Sequence, residues 1–228
     1  MRSSFRVRTA LGVGVLAAAL AATACSAGSG NPADATKPAR SKSSATQTAT
    51  HRSALHDGMR KLWEDHITWT RLYIISAEAG SPDTDTTAQR LLQNQTDIGD
   101  AIKPFYGDAA GAKLTARLRD HILTAGDLIA AAKAGDTAKV ATTKAAWYTN
   151  GEQIGDFLAQ ANPTHWPATE MRRMMRDHLD NTLAEAVDHL QGNWAADVVD
   201  YDKVHVQILH MADMLTDGII AQFPQKFR

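Results

Sequence analysis

From residue 53 onward the apolar residues recur at steps of three and four rather than two, the spacing of helices that bury one stripe. Leu55, Met59, Leu62, His66, Trp69 and Tyr73 form the first stripe, and Leu114, Leu118, His121, Ala125, Leu128 and Ala132 a later one. Val140, Lys144, Trp147, Gly151, Ile154 and Leu158 repeat the spacing, as do Val204, Ile208, Met211 and Leu215. Few segments alternate with period two, so no sheet is expected. Gly80, Gly135 and Gly192 suit the left-handed position just past a helix end. Ser81, Asp136 and Asn193 suit N-caps for the helices that follow, with Pro82 in a first turn. These signals predict six helices, at about 53–79, 83–102, 109–134, 137–160, 168–191 and 194–219. The connections at 103–107 and 162–167 combine proline with aromatics and are expected to be ordered corners on the bundle end.

The polar residues repeat as well. Asp65-His66, Asp120-His121 and Asp177-His178 open three copies of one pattern, and each copy then reaches its glycine. The copies close on Asn94-x-x-Asp97-Ile98-Gly99-Asp100, Asn150-x-x-Gln153-Ile154-Gly155-Asp156 and Gln207-x-x-His210-Met211-Ala212-Asp213. The second and third align without a gap at a shift of 57 residues, and the first needs one gap. Repeats of this kind report architecture first. The fold expected is all-α, a six-helix bundle of three tandem helical hairpins of about 56 residues. A compact bundle fits better than a solenoid, because three copies are the minimum for a solenoid and no polar caps flank them. Gly99, Gly155 and Ala212 are expected where a neighbouring helix comes close.

The N-terminal part changes the picture from fold to address. Residues 1–24 have a basic start (Arg2, Arg6, Arg8) and a short apolar stretch, Leu11 to Ala22, and read as a lipoprotein-type signal peptide. Cys25 follows Ala22-Thr23-Ala24 as the cysteine of a lipobox does, although lipoboxes usually carry Leu where Ala22 stands. Residues 25–52 read as a lipidated cysteine and a disordered tether rich in Ser, Ala and Thr, with a reach of roughly 30 Å. Residues 53–228 are the helical-bundle domain. It is expected to hang from a lipid anchor on the outer face of the cytoplasmic membrane, or otherwise to be secreted. Cys25 is the only cysteine, so the domain must be held by its core. A net charge of −1 with interspersed signs disfavours nucleic acid as a partner. A protein or small-molecule partner is left unnamed.

The candidate chemistry lies in polar residues on apolar seams. His66, His121 and His178 need partners if buried. Asn94, Asp97 and Asp100 on the second helix, Gln153 and Asp156 on the fourth, and His210 and Asp213 on the sixth are candidates. One reading is a structural network that fixes helix register. The other is a ligand or transition-metal site for Zn, Cu, Fe or Mn. It is centred on the third copy, where His178, Thr182, Glu185 and His189 step down one stripe and His205, His210 and Asp213 follow on the next helix. Against it, the chain has no Glu-x-x-His on these helices, which ferritin-like sites require. Met171, Met174, Met175, Met211 and Met214 would suit Cu(I) but more often fill cores. Asp65, Asp120 and Asp177 point away from the seam, toward solvent and arginines. No nucleophile elbow, P-loop or dinucleotide motif is present, so the reading leans against an enzyme. A hydrolase or transferase using His-Asp pairs would need a polar cleft joining His66, Asp97 and Asp100 to solvent.

The runs Leu62-Trp63-Glu64-Asp65-His66-Ile67-Thr68-Trp69-Thr70-Arg71, Leu91-Leu92-Gln93-Asn94, Pro104-Phe105-Tyr106-Gly107-Asp108 and Met211-Ala212-Asp213-Met214 carry a resemblance over most of residues 55–224. They resemble an uncharacterised family of small helical exported proteins of Gram-positive bacteria. Its members carry labels such as acetylglutamate kinase and glycosyltransferase, for which this chain has no nucleotide-binding element. The resemblance implies the helical fold and export, and assigns no functional residue.

Overall fold

The computed structural model describes the backbone from residue 39 and the side chains from residue 47, in both cases to Arg228. The expected signal peptide, Cys25 and the first part of the expected tether lie outside the described residues. All regular structure among the described residues is helical: α1 Ala39–Ala79, α2 Thr84–Tyr106, α3 Asp108–Lys133, α4 Thr137–Ala161, α5 Ala168–Leu190 and α6 Trp194–Gln222, then a short 3-10 turn at Pro224–Phe227. Each helix packs on the next along the chain, and α1 packs on α6, which closes the ring. No described helix is long and apolar enough to cross a membrane.

The glycine turns form as their sequence requires. Gly80, Gly135 and Gly192 have φ of 63°, 70° and 73°. Behind each, the next N–H bonds a carbonyl five residues back: Ser81 to Ser76 at 2.9 Å, Asp136 to Ala131 at 3.0 Å and Asn193 to Asp188 at 2.9 Å. This is the six-to-one closure of a left-handed helix cap. The N-caps are less uniform. Asp136 accepts from the Lys139 N–H at 3.0 Å, as expected. Asn193 turns back to Asp188 and Gln191. Ser81 does not cap: α2 starts at Thr84, so Pro82 precedes the helix rather than opening it.

Two boundaries differ from expectation. Residues 39–52, read as the end of a structureless tether, are helical. The sequence there lacks Gly and Pro, and an existing helix extends at the cost of one residue's freedom per new hydrogen bond. The side chains that follow are mostly exposed until Met59, the first buried one among the described side chains of α1. α2 also runs through Pro104 to Tyr106. A proline near a helix end removes one hydrogen bond but does not force a break, and Gly107 ends the helix at φ 83°.

The core is a continuous cluster from α1 to α6, with Met59, Trp63, Ile98, Leu118, Ile154, Leu179, Ile208 and Ile219 among its members. Met171, Met174, Met175 and Met211 are buried in it, and Met214 packs against it, as core methionines do. The corners pack as expected. Trp166 is buried beside Tyr106, and Phe105, Phe223 and Phe227 stack with ring centroids under 6 Å apart. The close approaches are real too. A Cβ on Gly99 would overlap Thr115 and lie 2.7 Å from the Gly111 carbonyl, and one on Gly155 would lie 3.1 Å from Met171 backbone. Gly99→Ala should therefore force α2 and α3 apart and destabilise the domain by about 1–3 kcal/mol, despite alanine's better helix propensity. Denaturant unfolding checks this, and an unchanged midpoint would mean that the backbones are not in contact.

Candidate ligand site: a cavity lined by three histidines

The three seam histidines are each bonded across their own turn and also meet one another. His66 Nδ1 contacts Gln95 at 3.2 Å, His121 Nδ1 contacts Asn150 at 2.9 Å and His178 Nδ1 contacts Gln207 at 3.2 Å. Each pair straddles its turn evenly, with partners 29 positions apart. The amides reach further. Asn150 donates to the Arg117 carbonyl at 3.1 Å and Gln207 to the Met174 carbonyl at 3.0 Å, in both cases four residues before the histidine. In the first copy two residues divide this work: Asn94 donates to the Leu62 carbonyl at 2.9 Å, and Gln95 faces the imidazole. With Gln95 at the shared interval, the first copy is one residue short before Asp97, and that is its gap.

The amide bonds fix two of the imidazole tautomers. Asn150 and Gln207 spend their N–H groups on carbonyls, so each turns an oxygen to its histidine, and the Nδ1 of His121 and of His178 must donate. Gln95 spends both of its N–H groups on the Leu91 carbonyl at 2.8 Å and Asn94 at 3.1 Å, so its contact with His66 assigns no proton to that ring. His121 and His178 are left with a lone pair at Nε2. Neither of these Nε2 atoms has a protein partner among the described residues.

The rings converge at mid-height of the bundle. His66 and His178 have centroids 5.6 Å apart, His121 and His178 6.5 Å, and Trp147 stacks on His121 at 5.2 Å. Burial drives the pKa of all three down, and none is charged at neutral pH. His66 lies well below the usual value, from burial and then the neighbouring His178 and His121. His121 is lowered to about 3, with Asn150 opposing, and His178 to about 4, with Gln207 opposing.

Above the histidines, toward the glycine turns, lies a cavity of about 200 Å³. Its walls are apolar: Ile74, Ile122, Ala125, Leu128, Leu183 and Ala186 are among them. At the histidine end Thr182 Oγ1 and Trp147 Nε1 are buried with no partner among the described residues. The most exposed of the lining residues are Ala132, Lys144 and Val187.

A second polar group sits beside this cavity, in the interior. Arg71 donates to Glu185 at 2.8 Å and makes two bonds to Asp197, at 2.7 and 2.9 Å. His189 Nδ1 lies 3.1 Å from Asp197, and the Arg71 guanidinium lies over the Tyr201 ring. Glu185 and Asp197 are each only 2% exposed. Burial pushes Glu185 up to about 7 against the pull of Arg71. Burial also raises Asp197, but the bonds from Arg71 and His189 outweigh it and hold that carboxyl below its usual value.

The remaining predicted residues lie elsewhere. Asp97 bonds Gln93, Asp100 pairs with Lys103 at 2.6 Å, Asp156 with Arg172 at 2.6 Å, and Asp213 with His56 and Arg60. These are surface or rim ion pairs, and none reaches a seam histidine. No polar cleft among the described residues therefore joins His66, Asp97 and Asp100 to solvent. Asp177 pairs with Arg173, as expected, whereas Asp65 pairs with Lys61 rather than an arginine of its own helix. The metal centre expected on α5 and α6 does not assemble. His210 is exposed, His205 bonds Glu64 across to α1, and Glu185 and His189 are engaged with Arg71 and Asp197. Among the described residues no three His, Cys, Asp or Glu side chains could hold an ion.

Sequence reading missed Gln95, Arg71 and Asp197. The constant 29-residue interval from His121 to Asn150 and from His178 to Gln207 could have found the amide partners. Arg71 carries a weaker signal, a charge inside the apolar run of α1. Protein-family models, curated proteins and solved structures were compared with the chain, and nothing matches.

Proposed function

We propose that the chain is a non-catalytic binding module, exported and tethered to the membrane through Cys25, that takes a small apolar molecule into the cavity above the histidines. The observation that carries this reading is the cavity itself. An apolar cavity of about 150 Å³ is large enough to hold benzene, and this one is about 200 Å³. Well-packed cores leave few voids larger than a water molecule. A concave apolar site with a few convergent polar groups is the usual form of a small-molecule pocket.

The surrounding frame is read as three tandem hairpins of about 56 residues. Three left-handed caps and three histidine–amide bonds at one interval support it. In this frame the repeated histidine holds its hairpin through Nδ1 and faces the cavity through the rest of its ring. The structural and the ligand roles of the histidines are thus the same arrangement seen from two sides. The basic leader, the apolar stretch and the lipobox-like Cys25 support export and anchoring.

Two measurements test this. The full chain with Cys25→Ser should be released from the membrane fraction of an expressing bacterium, whereas the native chain stays with it; equal partition would remove the anchor. Thermal melts of the released protein with ethylbenzene at about 100 times its Kd should show about 2.7 kcal/mol of stabilisation, or roughly 5–10 °C. Ala125→Leu, which fills the cavity, should abolish the shift. An unchanged melt across small apolar probes would overturn the binding reading.

A further inference from the structure

The polar end of the cavity has a definite hydrogen-bonding pattern. His121 and His178 can only accept at Nε2 while neutral, because their Nδ1 protons are committed to Asn150 and Gln207. His121 is 3% exposed and His178 4%, so neither lone pair is satisfied by bulk water. A buried polar atom without a partner is unusual in a native fold. Here two of them belong to residues that line one end of the cavity.

From this pattern, and resting on the binding reading above, we propose that the ligand is an uncharged hydroxyl compound, a phenol or compact alcohol, whose O–H group lies against the histidines and whose hydrocarbon body fills the cavity. The hydroxyl can give its proton to the lone pair of His178 or His121. A carboxylate fits poorly, because it would set its oxygens against two lone pairs with no cation at that end of the cavity. An ammonium would be buried without a counter-charge. A pure hydrocarbon would fill the walls and leave both lone pairs unpaired. Lys144 is the one ammonium among the lining residues, and it is exposed. An anion held from outside would therefore depend on Lys144 rather than on the histidines.

Isothermal titration of the full chain carrying Cys25→Ser, at pH 7.5, with 4-ethylphenol, ethylbenzene and 4-ethylbenzoate separates these cases. The proposal expects 4-ethylphenol to bind at least about tenfold more tightly than ethylbenzene, the effect of one hydrogen bond of about 1.4 kcal/mol, and 4-ethylbenzoate to be weakest. His178→Phe should erase most of that preference while ethylbenzene still binds. If that variant does not fold, the ratio measured on the histidine-bearing chain decides alone. Equal affinity for 4-ethylphenol and ethylbenzene overturns the hydroxyl proposal and leaves the binding reading standing. Tightest binding by 4-ethylbenzoate, lost in Lys144→Met, overturns it in favour of an anion at the mouth. No binding by any of the three overturns both.

Discussion

Lowering the pH from 7 to 4.5 is expected to destabilise the bundle by about 6 kcal/mol. The cause is the three buried neutral imidazoles. A histidine whose folded pKa lies below its unfolded value of about 6.5 contributes stability that is present above 6.5 and lost as pH falls toward the folded pKa. That folded value is about 3 for His121 and about 4 for His178, with His66 also well below normal. Each histidine therefore costs about 1.4 kcal/mol per pH unit below 6.5, and three cost about 4. Glu185 works in the opposite direction. Its folded pKa of about 7 is raised, so its stability is fully present below about 4.5 and lost as pH rises through 7. Acidification recovers about 1.4 kcal/mol per unit from it over that window. The net loss is about 3 kcal/mol per unit, against a total stability of about 5–15 kcal/mol for a domain. Denaturant unfolding at pH 7.5, 6 and 5 measures it. A stability at pH 5 equal to that at pH 7.5 would contradict the burial of the histidines.

The second large effect is at Arg71. Replacing it with methionine keeps the length of the chain but removes three bonds to two carboxylates that water barely reaches. Breaking one side of a buried ion pair typically costs about 3–5 kcal/mol, because the partner charge is left without compensation. Arg71→Met should therefore lower Tm by more than about 6 °C at pH 7.5. Adding Glu185→Leu and Asp197→Leu to that variant should recover much of the loss, since removing a whole buried cluster costs less than stranding half of it. A loss below about 1 kcal/mol for Arg71→Met alone would mean that the cluster is solvated.

The helices and turns were legible because each rests on local chemistry. The left-handed glycines, the three-four apolar steps and the small residues at Gly99 and Gly155 act within a turn or between adjacent helices. The convergence of the histidines was not legible. Their repeat shows that they are equivalent, but whether equivalent residues meet depends on whether the helices close a ring, and that is decided by the contact of α1 with α6. The aspartates misled for a related reason. Asp100, Asp156 and Asp213 recur six residues beyond the repeated amides, on the rim of the helix where lysine and arginine can reach, and repetition alone does not distinguish rim from seam. The third-copy departures Glu185 and His189 did mark a buried charged cluster. Its partners Arg71 and Asp197 come from two other helices, α1 and α6, so no spacing pattern links them.

Three buried neutral histidines meet at one end of an apolar cavity, and two of them, His121 and His178, are held through Nδ1 and present lone pairs at Nε2. A long-range ¹⁵N–¹H spectrum of the imidazoles at pH 6.5 tests this most directly. The expected result is three neutral rings insensitive to pH above 5, with His121 and His178 protonated at Nδ1. A titration near pH 6.5 for any of the three, or an Nε2–H tautomer at His121 or His178, would contradict it.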